Sequence, residues 1–206
     1  MLSRYCFLIA STLLATVAQA QDAPPRGSLQ LGIGSAGVGT GDYMALKAHL
    51  EYARLLGRHL STGTRLAFVG GSRESFNTVY NPDRPSNEGV TVPYAMSYQA
   101  INLEQEFYLY PFGNDRRVLF AVGGGGYAGY SSRYGAPSTR LNPTTGTTFL
   151  ALDQENGLHA GYLFSFNLDV AVDPARKWLV GGKALFQNDT FGNSLATLQL
   201  KVGRHF

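Results

Sequence analysis

Four histidines, His49, His59, His159 and His205, and two glutamates one residue apart, Glu104 and Glu106, are the residues of this sequence whose types could do chemistry. A metal centre needs closely spaced donors, yet no H-x-H, H-E-x-x-H or histidine–carboxylate spacing occurs, so no metal site is expected and the histidines read as structural. Glu104 and Glu106 fall on one face if the segment is a strand, as a general acid–base pair would require. Acid–base chemistry also needs a substrate path, and the elements around the pair decide whether one exists. Gly123 to Gly126 could cradle a phosphate, but no Lys-Ser/Thr pair or dinucleotide-type spacing leads from it into a helix. No catalytic residue and no cofactor is therefore assigned.

The elements that would position these residues are strands. From Asp42 to Arg54, Met44, Leu46, Ala48, Leu50 and Tyr52 alternate with Lys47, His49 and Glu51. A helix would put Lys47 and Leu50 on one face, whereas a strand separates them. The same period of two runs through Leu60 to Phe68, through Ile101, Leu103, Phe107 and Leu109, through Leu158 to Leu168, and through Trp178 to Phe186. It closes the chain in Leu198, Leu200, Val202 and Phe206. With Ser28 to Ser35 and the glycine-heavy Val118 to Ser132, the alternation predicts eight strands. Tight turns lie at residues 56–58, 111–115 and 173–176, and longer loops at 72–93 and 133–156. An even number of strands lets a meander close on itself and removes its edges. The fold class predicted is all-β, an eight-stranded antiparallel up-and-down transmembrane β-barrel.

Composition agrees with that class. The 206 residues are 44% hydrophobic and only 15% charged, with 25 Gly, 12 Tyr and 12 Phe, which excludes a disordered tail, a coiled coil and a bundle of apolar membrane helices. The basic residues read as scattered along the chain, so nucleic acid is not expected as a partner. Met1 to Arg4 give a positive start, Tyr5 to Val17 is apolar, and Ala18 and Ala20 stand where a signal peptidase reads, with Gln21 beginning the mature chain. The single cysteine, Cys6, lies in that leader, so a disulfide framework or thiolate site is excluded from the exported chain. The organisation predicted is a cleaved signal peptide over 1–20, a short periplasmic linker over 21–27 and a barrel over 28–206.

Alternation alone does not say which face is wet. The ends of the strands help. Tyr52, Tyr108, Tyr110, Phe112, Trp178 and Phe206 stand beside the tight turns or the terminus, and Tyr94, Tyr98, Tyr130, Tyr134, Phe149, Phe186 and Phe191 beside the loops. Two aromatic girdles are the mark of a barrel that crosses a bilayer, with its apolar face to lipid. Lys47, Glu51, Arg65, Glu104, Glu106, Lys183 and Lys201 then point inward as a nearly balanced charge network. Eight strands enclose a space that side chains can fill, so these charges should satisfy one another and close the lumen.

The stretch from Leu198 to Phe206 resembles the carboxy-terminal signal by which the outer-membrane assembly machinery recognises its barrels, with Leu198, Leu200, Val202 and Phe206 carrying the pattern and Arg204 departing from it. His49 to Arg54 followed by Leu60 to Leu66 is similar to the second hairpin of the small OmpX- and OmpW-like outer-membrane barrels, as is Tyr110-Pro111 before a glycine-rich strand. A further similarity, from Tyr108 to the end and carried by Gly129-Tyr130 and the closing hairpin, runs towards the TraO-type barrel proteins of conjugative transposons. These resemblances imply an outer-membrane location in a Gram-negative bacterium, contact with outer-membrane lipids and with the barrel assembly machinery, and a surface partner held by the loops at 72–93 and 133–156. The expected function is non-enzymatic, in surface interaction or envelope integrity. A lipid-modifying enzyme, a small porin-like channel and a conjugation-associated role are the alternatives.

Overall fold

A computed structural model describes residues 27–39, 43–79, 90–141 and 148–206. Eight strands run in chain order: β1 (Gly27–Val38), β2 (Tyr43–Leu55), β3 (Leu60–Val79), β4 (Val90–Leu109), β5 (Val118–Leu141), β6 (Thr148–Ala171), β7 (Trp178–Asp189) and β8 (Ser194–His205). Each pairs antiparallel with the next, and β8 pairs with β1, so the sheet is a closed barrel. The signal-cleavage residues Ala18, Ala20 and Gln21 lie outside the described residues. The linker expected over 21–27 lies outside the described residues except for its last one, Gly27. Gly27 is already in β1, because its N–H and C=O pair with Phe206 at 3.3 and 3.0 Å.

The register stacks like with like. Val180, Val202, Leu31, Leu50, Leu66 and Leu103 are direct cross-strand partners in a row over six strands, and every one is solvent-accessible on the outer face. One position along, Glu51, Arg65 and Glu104 form a second row, and all three are buried inside. Leu103 is 59% exposed and its neighbour Glu104 0%. The polarity is thus the reverse of a water-soluble barrel.

The strands differ in length. β1, β7 and β8 have 12 residues each, while β5 and β6 have 24. The loops expected over 72–93 and 133–156 are therefore largely strand. β3 and β4 stay paired through Arg73↔Met96 to Val79↔Val90, and β5 and β6 out to Leu141↔Thr148. Beyond the rim both faces of a hairpin meet the same surroundings, so nothing selects alternating residues although the backbone ladder continues. Pro93 is tolerated in β4 because β4 and β5 pair only from Ser97↔Tyr134 onward, which leaves β4 an edge strand at that height.

At the opposite end the tight turns tie into one another. Asn114 donates to the Gly57 carbonyl at 2.7 Å, and Arg58 lies 3.4 Å from Asp115. In the third turn the Asp173 carboxylate accepts the N–H groups of Trp178 at 2.7 Å and Lys177 at 3.1 Å. These donors favour the charged form and hold the carboxyl below its ordinary value. The stabilisation is fully present above the unfolded value of about 4 and is lost as pH falls through the lower folded one. Titration followed by carboxyl-carbon NMR should find Asp173 ionising below about pH 4, and Asp173→Asn should flatten the acid limb of stability. An ordinary titration for this carboxyl would contradict the cap.

Candidate functional site

The interior is where the sequence concentrates its chemistry. Lys47, Glu51, Arg65, Glu104, Glu106, Lys183 and Lys201 all point into the barrel and are buried. Cross-strand registry sets Arg65 between Glu51 and Glu104. Its guanidinium lies 2.5 Å from Glu104, 2.7 Å from Glu106 and 3.5 Å from Glu51. Lys47 reaches Glu104 at 2.7 Å and the Gln187 carbonyl oxygen at 2.5 Å, and Gln187 donates back to Glu104 at 2.8 Å. From the far wall Lys183 donates to Glu106 at 2.6 Å and to the Tyr108 hydroxyl at 2.9 Å, and Tyr108 donates to Glu51 at 2.7 Å.

Lys201 stands apart from the others. It donates to Asp169 at 2.8 Å and to Asn167 at 3.1 Å. Asp169 is an acid that the inward set above lacks, and buried Asp189 is another, so five inner carboxylates stand beside the four buried cations. The signal was present, since Asp169 continues the polar face of Ser165 and Asn167 along β6. Asn167 donates to Ser165, and Ser165 to Glu106, which links the two groups.

Glycine makes the room. Glu106 lies between Gly63 and Gly125 on the neighbouring strands. A Cβ on Gly123 would stand within 2.8 Å of the Glu106 carboxyl carbon and 2.6 Å of the Ser165 oxygen. The side-chain-free run of β5 is therefore the seat of the Glu106 carboxylate. Glu104 and Glu106 accept bonds from arginine, lysine, serine and glutamine, which leaves them no role as an acid–base pair with access to a substrate.

The histidines divide as well. His59 is exposed in the first turn and bonds the Tyr110 carbonyl at 2.8 Å, and half-buried His205 lies 3.4 Å from the Gly27 carbonyl. His49 and His159 face inward. His159 bonds Asn102 at 2.7 Å through one ring nitrogen and Ser131 at 2.8 Å through the other, which also lies 3.6 Å from Asp189. A nucleophile relay needs serine and carboxylate on opposite nitrogens, so this group is structural. Among the described residues no three His, Cys, Asp or Glu side chains are grouped to hold a metal.

The aromatic girdles need one correction. Tyr98, Tyr108 and Tyr110 point inward, because their positions share the parity of Ala100 and Glu106, and Tyr110 packs on buried Leu119, Ala171 and Leu179. Tyr52, Phe112 and Trp178 face outward at the turn end, with Tyr130, Tyr134 and Phe186 at the other. Phe149 is in β6, and its side chain lies outside the described residues. Phe206 stacks on Tyr52, ring centres 6.1 Å apart, so the terminal residue seals the β8–β1 seam.

No family model matches the sequence, and no curated protein matches it either. Among solved structures the barrel is similar to Ail, the attachment invasion locus protein of Yersinia pestis, with a TM-score of 0.54 at 9% identity over 89% of this chain and 100% of that one. The same protein in complex with the heparin analogue sucrose octasulfate gives 0.53 at 11% identity, again over 89% and 100%. Ail is an outer membrane protein whose structure is also known in a phospholipid bilayer nanodisc, to which this chain aligns at 0.39 with 12% identity over 87% and 99%. The fold is that of the small outer-membrane barrels. In such a barrel, eight strands leave a lumen only as wide as its side chains, and here paired charges occupy it.

Proposed function

We propose that this chain spans the outer membrane of a Gram-negative bacterium as a closed, non-enzymatic barrel that displays two long hairpins for surface contact. The reversed polarity carries the reading. Leaving Leu31, Leu50, Leu66 and Leu103 in water would forgo about 1.5–3 kcal/mol for each side chain, whereas hydrocarbon accepts them without loss. The leader over 1–20 would deliver the chain, and both termini and the three tight turns would lie in the periplasm. Leu198, Leu200, Val202 and Phe206 would present the strand that the assembly machinery reads. The β3–β4 and β5–β6 hairpins would then stand outside the cell, where loops on a rigid frame carry function.

Charge narrows the partner. Along 72–93 and 133–156, Arg73, Arg84, Arg133 and Arg140 are matched by Glu74, Asp83, Glu88, Asp153 and Glu155. No positive excess is offered to a sulfated sugar of the kind bound to Ail. Tyr80 and Tyr134 in the same segments suit a weakly charged glycan or protein surface.

Cell fractionation with heat-modifiable gel mobility tests the location, and recovery as a freely soluble periplasmic protein would overturn it. In planar bilayers the intact barrel should show no stable openings, since ion pairs fill the lumen. Sustained single-channel currents would replace the plugged reading with a channel. Cells displaying a barrel whose hairpins are cut back to the rim should lose adhesion while keeping heat-modifiability. Unchanged adhesion would remove the hairpins from the function, and an altered lipid A mass profile in cells carrying the protein would point to an enzyme.

A further inference from the structure

The basic residues are not scattered in space. Arg54 comes from the end of β2 and Arg58 from the first turn, Arg116 and Arg117 from the second, and Arg176, Lys177 and Arg204 from the third turn and the final strand, and all are exposed at the turn end. The acids there are Asp115 and Asp173. Asp115 pairs with Arg58, and Asp173 is taken up by backbone N–H groups. At the other rim Arg73 and Glu74 are adjacent, and Arg133 lies opposite Glu155 on the β5–β6 ladder. One end of the barrel therefore carries the cationic excess.

The depth of these cations is set by aromatic rings. Trp178, Arg204, Leu29 and Tyr52 are successive outward partners across β7, β8, β1 and β2. The Arg204 guanidinium lies over the Trp178 ring, 5.6 Å from its centre, and Arg116 lies over Phe112 at 5.9 Å. Outward aromatics at strand ends sit at headgroup level in a bilayer, so guanidinium groups held on their faces stand at the depth of the phosphates. Arg176, at a φ of 55°, donates through its guanidinium to the Asp115 carbonyl, which ties the third turn to the second at this end.

We propose that this collar, centred on Trp178, Arg204 and Lys177, is a binding site for the phosphates of anionic phospholipids in the leaflet at the turn end. The site rests on the membrane reading above and adds to it a lipid preference. Guanidinium and ammonium groups at that depth meet a phosphodiester with geometry and charge that favour a lipid carrying net negative charge over a zwitterionic one.

Trp178 is the only tryptophan of the chain and reports on its own surroundings. The full barrel is reconstituted in phosphatidylcholine vesicles containing equal mole fractions of either brominated phosphatidylcholine or brominated phosphatidylglycerol. Brominated phosphatidylglycerol should quench Trp178 at least about twofold more strongly, and the ratio should shrink at high salt. The triple variant R176Q/K177Q/R204Q, checked for folding by heat-modifiable mobility, should bring the ratio to unity. Should that variant misfold, Arg204→Gln should lower the ratio where Arg204→Lys keeps it. Equal quenching by the two lipids in the unaltered protein overturns the site while leaving insertion intact. Absence of quenching by either overturns insertion and the site with it. Loss of the preference on adding inorganic phosphate at matched ionic strength would assign the collar to free phosphate and overturn the lipid assignment.

Discussion

Arg65→Leu should destabilise the barrel more than any other single substitution in its wall. Arg65 faces three carboxylates, and its removal leaves Glu51, Glu104 and Glu106 to share Lys47 and Lys183. Stranding buried charge of this kind costs about 3–5 kcal/mol, a large part of the stability of an ordinary domain. The temperature at which the folded, fast-migrating band disappears, or the midpoint of urea unfolding in detergent micelles, should fall accordingly. Glu104→Gln in the same chain should restore part of the loss, because one stranded charge is removed, so the double variant should be less unstable than the two effects added. Leu66→Ala, one residue away on the lipid-facing side, should be mild. If Arg65→Leu and Leu66→Ala were equally harmless, water would fill the lumen and the ion pairs would contribute little.

Gly123→Leu should rival that effect by crowding instead of by charge. The new side chain would enter the space of the Glu106 carboxylate, which is held by Arg65 and Lys183 and is not free to swing aside. Overpacking a filled site typically costs about 1–3 kcal/mol, and displacing a paired carboxylate adds to that. Gly124→Leu changes the same residue type one position along. Its Cβ would meet only the Phe164 ring at 3.6 Å, an ordinary contact on the outer face. Unfolding midpoints for the two variants should therefore differ widely. Equal midpoints would show that the facing of β5 is misassigned.

The barrel was legible in the sequence wherever a strand separates two unlike environments. Leu50 against Glu51, and Leu103 against Glu104, record in their residue types which side meets the charged lumen. Legibility ended at Ser72 and resumed at Tyr94, because the paired hairpin above the rim has no such contrast to record. Register was not legible either. That Glu51, Arg65 and Glu104 share one row depends on the stagger of neighbouring strands, which alternation leaves free by steps of two. Asp169 was missed, although its parity with Asn167 was visible. The cationic collar was missed for a different reason: Arg54, Arg116 and Arg204 are far apart in the chain, and only barrel closure gathers them at one end.

The seam between β1 and β8 sets a limit on the order of events. Its ladder runs from Ser28↔His205 to Val38↔Leu195, so every pair joins the two extremes of the chain. Contacts of such separation form slowly, since nearly the whole chain must be confined before any of them is gained. Closure cannot begin before β8 has been made, and until β8 arrives β1 is an unsatisfied edge carrying Leu29, Leu31 and Ile33. The open sheet would meanwhile expose one apolar face and one face of unpaired charges. A newly made chain is thus most prone to aggregate in the interval before the twelve-residue β8 docks, and shielding during that interval matters more to its yield than the stability it has once closed.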